Sequence, residues 1–225
     1  MIYAIHQPNY IPYLGFFDKY KKSDIFILYD TAQYSKNEFH NRNRIKTASG
    51  PIWLTIPVKV HLGQQIREVS IIDKTAIEKH LGALRINYGQ ADFFEESMEW
   101  LLEIYSPLKK ADKLVDVNIP ILKKFFDLFK GPEVFLASEL GISPEVKSTQ
   151  ALVEMCKKVG ADTYLSGSGA KAYLDEELFK KNDIKVIWQE FHHPVYQQRF
   201  GKFVPNLSVI DALMNVGKKG LKELI

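Results

Sequence analysis

The chain has 225 residues, 46% hydrophobic, 25% charged and 12% aromatic, with a net charge of +3. These fractions exclude intrinsic disorder, and a folded body of this size buries about three quarters of its unfolded surface without covalent staples. The small net charge speaks against a nucleic-acid binder, and no apolar run approaches the roughly 18 residues of a membrane span. A single cysteine, Cys156, excludes an internal disulfide framework and a multi-cysteine metal site. The opening MIYAIHQPNY lacks a basic n-region, and His6 and Gln7 break its apolar run. The expected location is therefore the cytoplasm, with no membrane insertion.

In chain order, Ile2–His6 reads as a strand feeding the loop QPNYIPYLG, which Pro8 and Pro12 keep out of a helix. Gly15 opens a short helix, FFDKYKKS, and after Asp24 the run IFILY reads as a buried parallel strand. Strand, crossover helix and strand make a βαβ unit. FHNRNRIK and IWLTIPV then read as strands about a Ser49-Gly50-Pro51 turn, with REVSII as a third piece. From about Lys74 to Lys130 the apolar period is helical, as in Ile77, Leu81 and Leu84, and again in Leu122, Phe125, Phe126 and Phe129. VFLAS is a strand, and Ser148 is expected to cap the helix TQALVEMCKKV that Gly160 stops. TYLSG and IKVIWQEF are the last strands, and two short helices close the chain, Ser208 capping the core one with Asp211 at its third position. The sum is an α/β fold, a parallel sheet with flanking helices of Rossmann-like type. One domain, 1–225, is expected, with an α/β core at 1–35 and 131–217, a β-rich insertion at 36–72 and a helical lobe at 74–130.

Four segments could carry chemistry. HQPNY sits beyond the carboxyl end of the first strand, where open α/β sheets bind ligands. There His6 is a candidate for proton transfer, and Gln7, Asn9 and Tyr10 for substrate contact. KNEFHNRNRIK holds four cations against Glu38, which equals the whole net charge of +3. If residues 39–46 are extended, His40, Arg42, Arg44 and Lys46 share one face about 6.6–7 Å apart, and Phe39, Asn41, Asn43 and Ile45 the other. Arg42, Arg44 and Lys46 then suit a polyphosphate or sugar diphosphate, with Asn41 beside them. In SGSGAK, Ser166, Gly167 and Ser168 form a candidate phosphate or substrate loop. In the tail, Glu190 and His193 are candidates for an acid–base pair, whereas adjacent His192 and His193 are poorly spaced to share a metal, and no metal site is expected. Cys156 falls with Leu152 and Val159 on an apolar helix face and reads as core. Neither G-x-S-x-G nor H-E-x-x-H occurs.

HQPNYIPYLGFFDKY, NRNRIKT-x-x-G-x-x-WLTIPV, TYLSG and FHHPVYQQ-x-x-G-x-FVPNLSVIDALMN-x-G together resemble the WbqC-like family over nearly the whole chain. That resemblance implies a place in bacterial and archaeal surface-polysaccharide gene sets, including O-antigen clusters. The opening is also similar to cytidylyltransferase-like nucleotidylyltransferases. At the position of their H-x-G-H motif this chain has Tyr13-Leu14-Gly15-Phe16, so both histidines are replaced. Ser166-Gly167-Ser168 falls where that superfamily places a nucleotide loop.

The leading expectation is a transferase acting on a nucleotide-activated sugar, or joining an acyl or aminoacyl group to one. His6 would move the proton, the arginines and Lys46 would hold the diphosphate, and the 166–169 loop would supply N–H donors. The alternatives are nucleotidylyl transfer, which needs a nucleoside triphosphate and Mg²⁺ as cofactor, and a non-catalytic sugar-nucleotide-binding partner of a glycan-biosynthesis enzyme. Expected ligands are small-molecule nucleotides or sugars.

Overall fold

A computed structural model describes residues 1–143 and 145–225. By contact the chain divides into two compact units, one of Met1–Gln7, Phe16–Ala32 and Lys130–His192, the other of Pro8–Gly15, Gln33–Phe129 and His193–Ile225.

The first unit holds five strands, β1 (Ile2–His6), β2 (Ile25–Leu28), β7 (Glu133–Leu136), β8 (Thr163–Ser166) and β9 (Lys185–Trp188). They form one sheet in the order β7-β2-β1-β8-β9, and every pair is parallel. The chain builds outward from β1 to one edge and then returns to build the other, so the order reverses between β1 and β8. Alternation along the strands sorts the two faces. Tyr3, Ile5 and Tyr164 pack with Ala151, Met155 and Cys156 of α5 (Ser148–Lys158) and Phe179 of α6 (Glu176–Lys180). On the other face His6 and Phe26 meet Phe16 of α1 (Leu14–Lys21), ring centroids 4.6 and 5.5 Å away. The rule-based parallel α/β sheet with flanking helices is thus present.

The second unit begins with the hairpin β3 (Arg42–Thr47) and β4 (Gly50–Thr55), paired from Arg42↔Thr55 to Thr47↔Gly50, and a two-residue pair β5 (Val58–Lys59) and β6 (Ser70–Ile71). Helices α2 (Ala76–Tyr88), α3 (Phe94–Tyr105), α4 (Val115–Phe129) and α7 (Val209–Glu223) complete it. Leu101, Ile104, Leu122 and Phe125 lie in its core. α7 is two helical stretches across Gly217, whose φ of 68° is left-handed. A Cβ at Gly217 would stand 2.5 Å from Phe93, so no other residue fits this kink.

Three local expectations are corrected. The basic strand starts at Arg42, not Phe39. Asn37 turns left-handed at φ 68° and the Phe39 carbonyl is taken by Tyr10 N, which leaves His40 off the strand and buried. Ser148 does not cap α5: it is the first residue of that element, after Lys147, with a left-handed φ of 53°, and no side chain caps there. β9 stops at Trp188, because Gln189, after one last bond to the Ser166 carbonyl, turns its side chain to Asp18.

Candidate functional site

The reversal between β1 and β8 is where an open parallel sheet forms its ligand crevice. β1 pairs β2 as far as His6↔Leu28, and β8 pairs β9 as far as Ser166↔Trp188. The β1–β8 ladder stops earlier, at Ala4↔Leu165. His6 and Ser166 therefore lie on two strands that have parted from each other while still held by their outer neighbours. The Ile2 and His6 carbonyls go to β2 through Asp24 N and Tyr29 N, so alternation turns the Ile5 carbonyl toward β8. It receives no β8 amide. Lys19 of α1 donates to it instead, Nζ to O 2.8 Å.

His6 stands at the mouth of this seam, its ring edge-on to Phe16 and its Nδ1 3.0 Å from the Gln7 carbonyl. A carbonyl only accepts, so Nδ1 carries the hydrogen in that bond. Ser166 is buried, Gly167 follows it in extended backbone, and Ser168 opens a single 3₁₀ turn ending at Ala172. From the far end of β9 the Gln189 amide donates to Asp18 at 2.7 Å, and Lys22 donates to the Glu190 carbonyl at 3.2 Å. Glu190 itself is exposed.

Lys19 went unread in the sequence, where it looks like one of three solvated lysines. It is 4% exposed, and burial drives its amine down to about 7. The signal was its position: with Phe16 and Tyr20 it completes an i, i+3, i+4 stripe, the buried face of a helix.

The remaining sequence candidates belong to the second unit, and most of them brace it. The Tyr10 hydroxyl is buried against His80 Nδ1 at 2.8 Å and the Tyr105 hydroxyl at 3.2 Å. Asn41 accepts from Tyr34 and donates to the Ile56 carbonyl, while Asn43 donates to the Ile11 carbonyl. Lys46 is buried, donating to Gln198 Oε1 at 3.1 Å and the Lys202 carbonyl at 2.6 Å. Its backbone N–H meets the Tyr88 hydroxyl, and Asp211 accepts from both Tyr88 (2.6 Å) and Tyr196 (2.8 Å). Burial lifts the Asp211 carboxyl above the usual carboxylate range, against the pull of those two hydroxyls. Ser208 caps α7 through Ile210 N as expected. His193 packs its ring on Phe203 and Tyr196, with Nδ1 2.9 Å from the Pro194 carbonyl. Asn9 Oδ1 is buried with no hydrogen-bond partner.

Arg42 and Arg44 are the exceptions. They share one face of the hairpin with Trp53, which lies directly opposite Arg44. Their guanidinium carbons lie 4.3 and 5.6 Å from the Trp53 ring centre, and Trp53 stays 43% exposed. Arg42 also donates to the Asn37 carbonyl. Among the described residues neither arginine has a carboxylate partner. Stacking fixes the plane of a guanidinium while keeping its in-plane N–H donors for a planar or tetrahedral anion.

Cys156 is buried and its thiol is pushed up to about 12, which makes it unreactive. No cluster of three metal-ligating side chains occurs among the described residues, and no helix there is long and apolar enough to cross a membrane. An open depression of about 610 Å³ on the second unit, lined by Arg85, Phe94, Glu95, Glu99 and Leu102, holds none of the candidates.

Comparison with known proteins agrees with the motif blocks. The family model described as the WbqC-like protein family matches residues 7–223. The chain is 37% identical over 217 residues to the uncharacterized protein Rv1507c of Mycobacterium tuberculosis (strain ATCC 25618 / H37Rv), covering 95% of this chain and 93% of that one. No solved structure matches. A family match of this extent takes in the loop that follows β1, the arginine hairpin, the loop after β8 and α7 alike, and the chain belongs to the WbqC-like protein family.

Proposed function

We propose that the chain is a transferase of surface-polysaccharide biosynthesis that binds a nucleotide-activated sugar at the carboxyl ends of β1 and β8. The observation that supports it is the early end of β1–β8 pairing at the one place where strand order reverses. Ligand phosphates would meet the backbone at Gly167 and Ser168, and Gln7 would contact sugar hydroxyls. In the transfer step an acceptor hydroxyl or amine attacks the group being moved. The His6 imidazole takes the acceptor's proton, and the leaving group departs with the bonding electron pair. A positioned imidazole in this role is worth about 10²–10⁴-fold in rate. On the second unit Arg42 and Arg44 would hold a further phosphate or carboxylate.

The test is a thermal-shift panel of nucleoside di- and triphosphates, nucleotide sugars and sugar phosphates, with and without Mg²⁺. A ligand at about 100 times its dissociation constant adds ~2.7 kcal/mol, or roughly 5–10 °C at this chain length. A shift with nucleotide sugars that disappears in His6→Ala is the expected result. No shift with any nucleotide-bearing ligand sinks the reading. Pyrophosphate released from a triphosphate and a sugar phosphate would replace it with nucleotidylyl transfer.

A further inference from the structure

A lysine buried to this degree almost always has a carboxylate partner. Lys19 has none among the described residues. The adjacent acid on its own helix, Asp18, is taken by Lys22 at 2.8 Å and by Gln189 at 2.7 Å. From β1 the seam receives His6, whose ring rests on Phe16. From β8 it receives Tyr164, whose ring centre lies 5.9 Å from Lys19 Nζ, with Tyr3 and Cys156 behind it. None of these supplies a negative charge to the ammonium. Of its three donors, one is used, on the Ile5 carbonyl.

A purely structural plug for that carbonyl would be cheaper to make from a β8 amide, which the sheet forgoes. We propose that Lys19 is the phosphate-binding cation of the switch-point site, resting on the Ile5 carbonyl until a ligand phosphate enters the seam and takes up its remaining donors. This rests on the nucleotide reading above and names the residue that meets the charge. With its amine near 7, the ligand-free protein holds Lys19 partly neutral. A bound phosphate favours the ammonium, so binding draws in a proton from solvent.

The experiment is titration calorimetry with uridine diphosphate at about pH 8, in two buffers of different ionisation enthalpy. Near that pH the phosphates keep a constant charge and an ordinary imidazole is already neutral. The expected result for the wild type is uptake approaching one proton per bound nucleotide, and affinity falling about tenfold per pH unit from roughly 7.5 to 9. Lys19→Met is expected to fold, since it replaces a buried cation by an apolar chain of similar length, and to bind at least tenfold more weakly. Lys19→Arg cannot release its proton, so any binding it retains shows no uptake. Wild-type binding without proton uptake, and unchanged in Lys19→Met, overturns the role of Lys19 and leaves the nucleotide site standing. No binding by the wild type overturns both.

Discussion

The Lys19 seam of the first unit and the Asp211, Lys46 and Tyr10 networks of the second treat buried polar groups in opposite ways. In the second, hydrogen bonds close on themselves: Asp211 takes two tyrosine hydroxyls, Lys46 takes an amide oxygen and a carbonyl, and Tyr10 sits between His80 and Tyr105. In the first, the sheet gives up a backbone pairing between β1 and β8 and puts a lysine without a counter-ion in the gap. Satisfied networks hold a scaffold in one arrangement, whereas a buried charge without a partner costs stability and is kept where something else uses it. The same polar residue types therefore mean different things, and their partners decide which.

The largest effect should come from opening a closed network. Asp211→Ala leaves the Tyr88 and Tyr196 hydroxyls buried with no acceptor, and should cost about 3–5 kcal/mol in urea unfolding. Asp211→Asn keeps one acceptor and should cost about half of that. A loss under 1 kcal/mol for the alanine variant would show that the network is not the brace described here.

Next is acid. Burial holds His40 and His80 at about 4, below the 6.5 of an exposed imidazole. Between those values the unfolded chain binds more protons than the folded one, so stability is whole above about pH 6.5 and falls as pH drops toward 4. Each histidine should account for about 3 kcal/mol of that fall. For His80 burial prevails over the Thr55 carbonyl and Asp73, which pull the other way, and the bonding fits a neutral ring, with Nε2 donating to the Thr55 carbonyl and Nδ1 left to accept from Tyr10. His80→Gln should flatten the slope between pH 6.5 and 4. An unchanged slope would mean that His80 does not titrate as placed.

This contrast was only half legible in the sequence. Runs such as IFIL and TYLS have no room for alternation, and they announce buried parallel strands. The end of β1 could be marked through His6 by rule. Nothing local says where two strands part, because the β1–β8 register joins residues about 160 positions apart. Lys19 shows the cost: KYKK reads as a solvated cluster, and although the helical stripe turns its first lysine inward, only the strand geometry beside it leaves that lysine without a counter-ion. Tyr10, Asn41 and Lys46 are the opposite case. They are polar near a favoured loop, so they suggest ligands, yet their partners are distant in sequence, as with Lys46 and Gln198. HQPNY even divides, His6 and Gln7 falling in one unit and Asn9 and Tyr10 in the other.

Lys19→Met tests the first unit by stability alone. The folded amine lies below its ordinary 10.5, so the folded state binds fewer protons between about 7 and 10.5 and is favoured as pH rises through that window. The variant should be more stable than wild type by about 2 kcal/mol at pH 6, and the gain should shrink toward pH 10. A constant loss at every pH would make Lys19 a structural plug.

The smallest effect on stability, and the sharpest on function, belongs to the arginine face. Arg42 and Arg44 are partly exposed, and neither has a carboxylate to lose among the described residues. Arg44→Ala should therefore change stability by no more than about 0.5 kcal/mol. Trp53→Ala removes the ring beside which both guanidinium groups lie, and should behave alike in unfolding because the ring is 43% exposed. If stacking serves only the fold, neither variant alters anion affinity. If it orients donors for a phosphate or carboxylate, both weaken anion binding by about tenfold, and Arg44→Lys fails to restore it, because an ammonium can neither stack in that plane nor bind bidentately. Rescue by lysine would reduce this face of the hairpin to a charge without geometry, and would leave Lys19 as the only cation among the described residues whose placement implies a ligand.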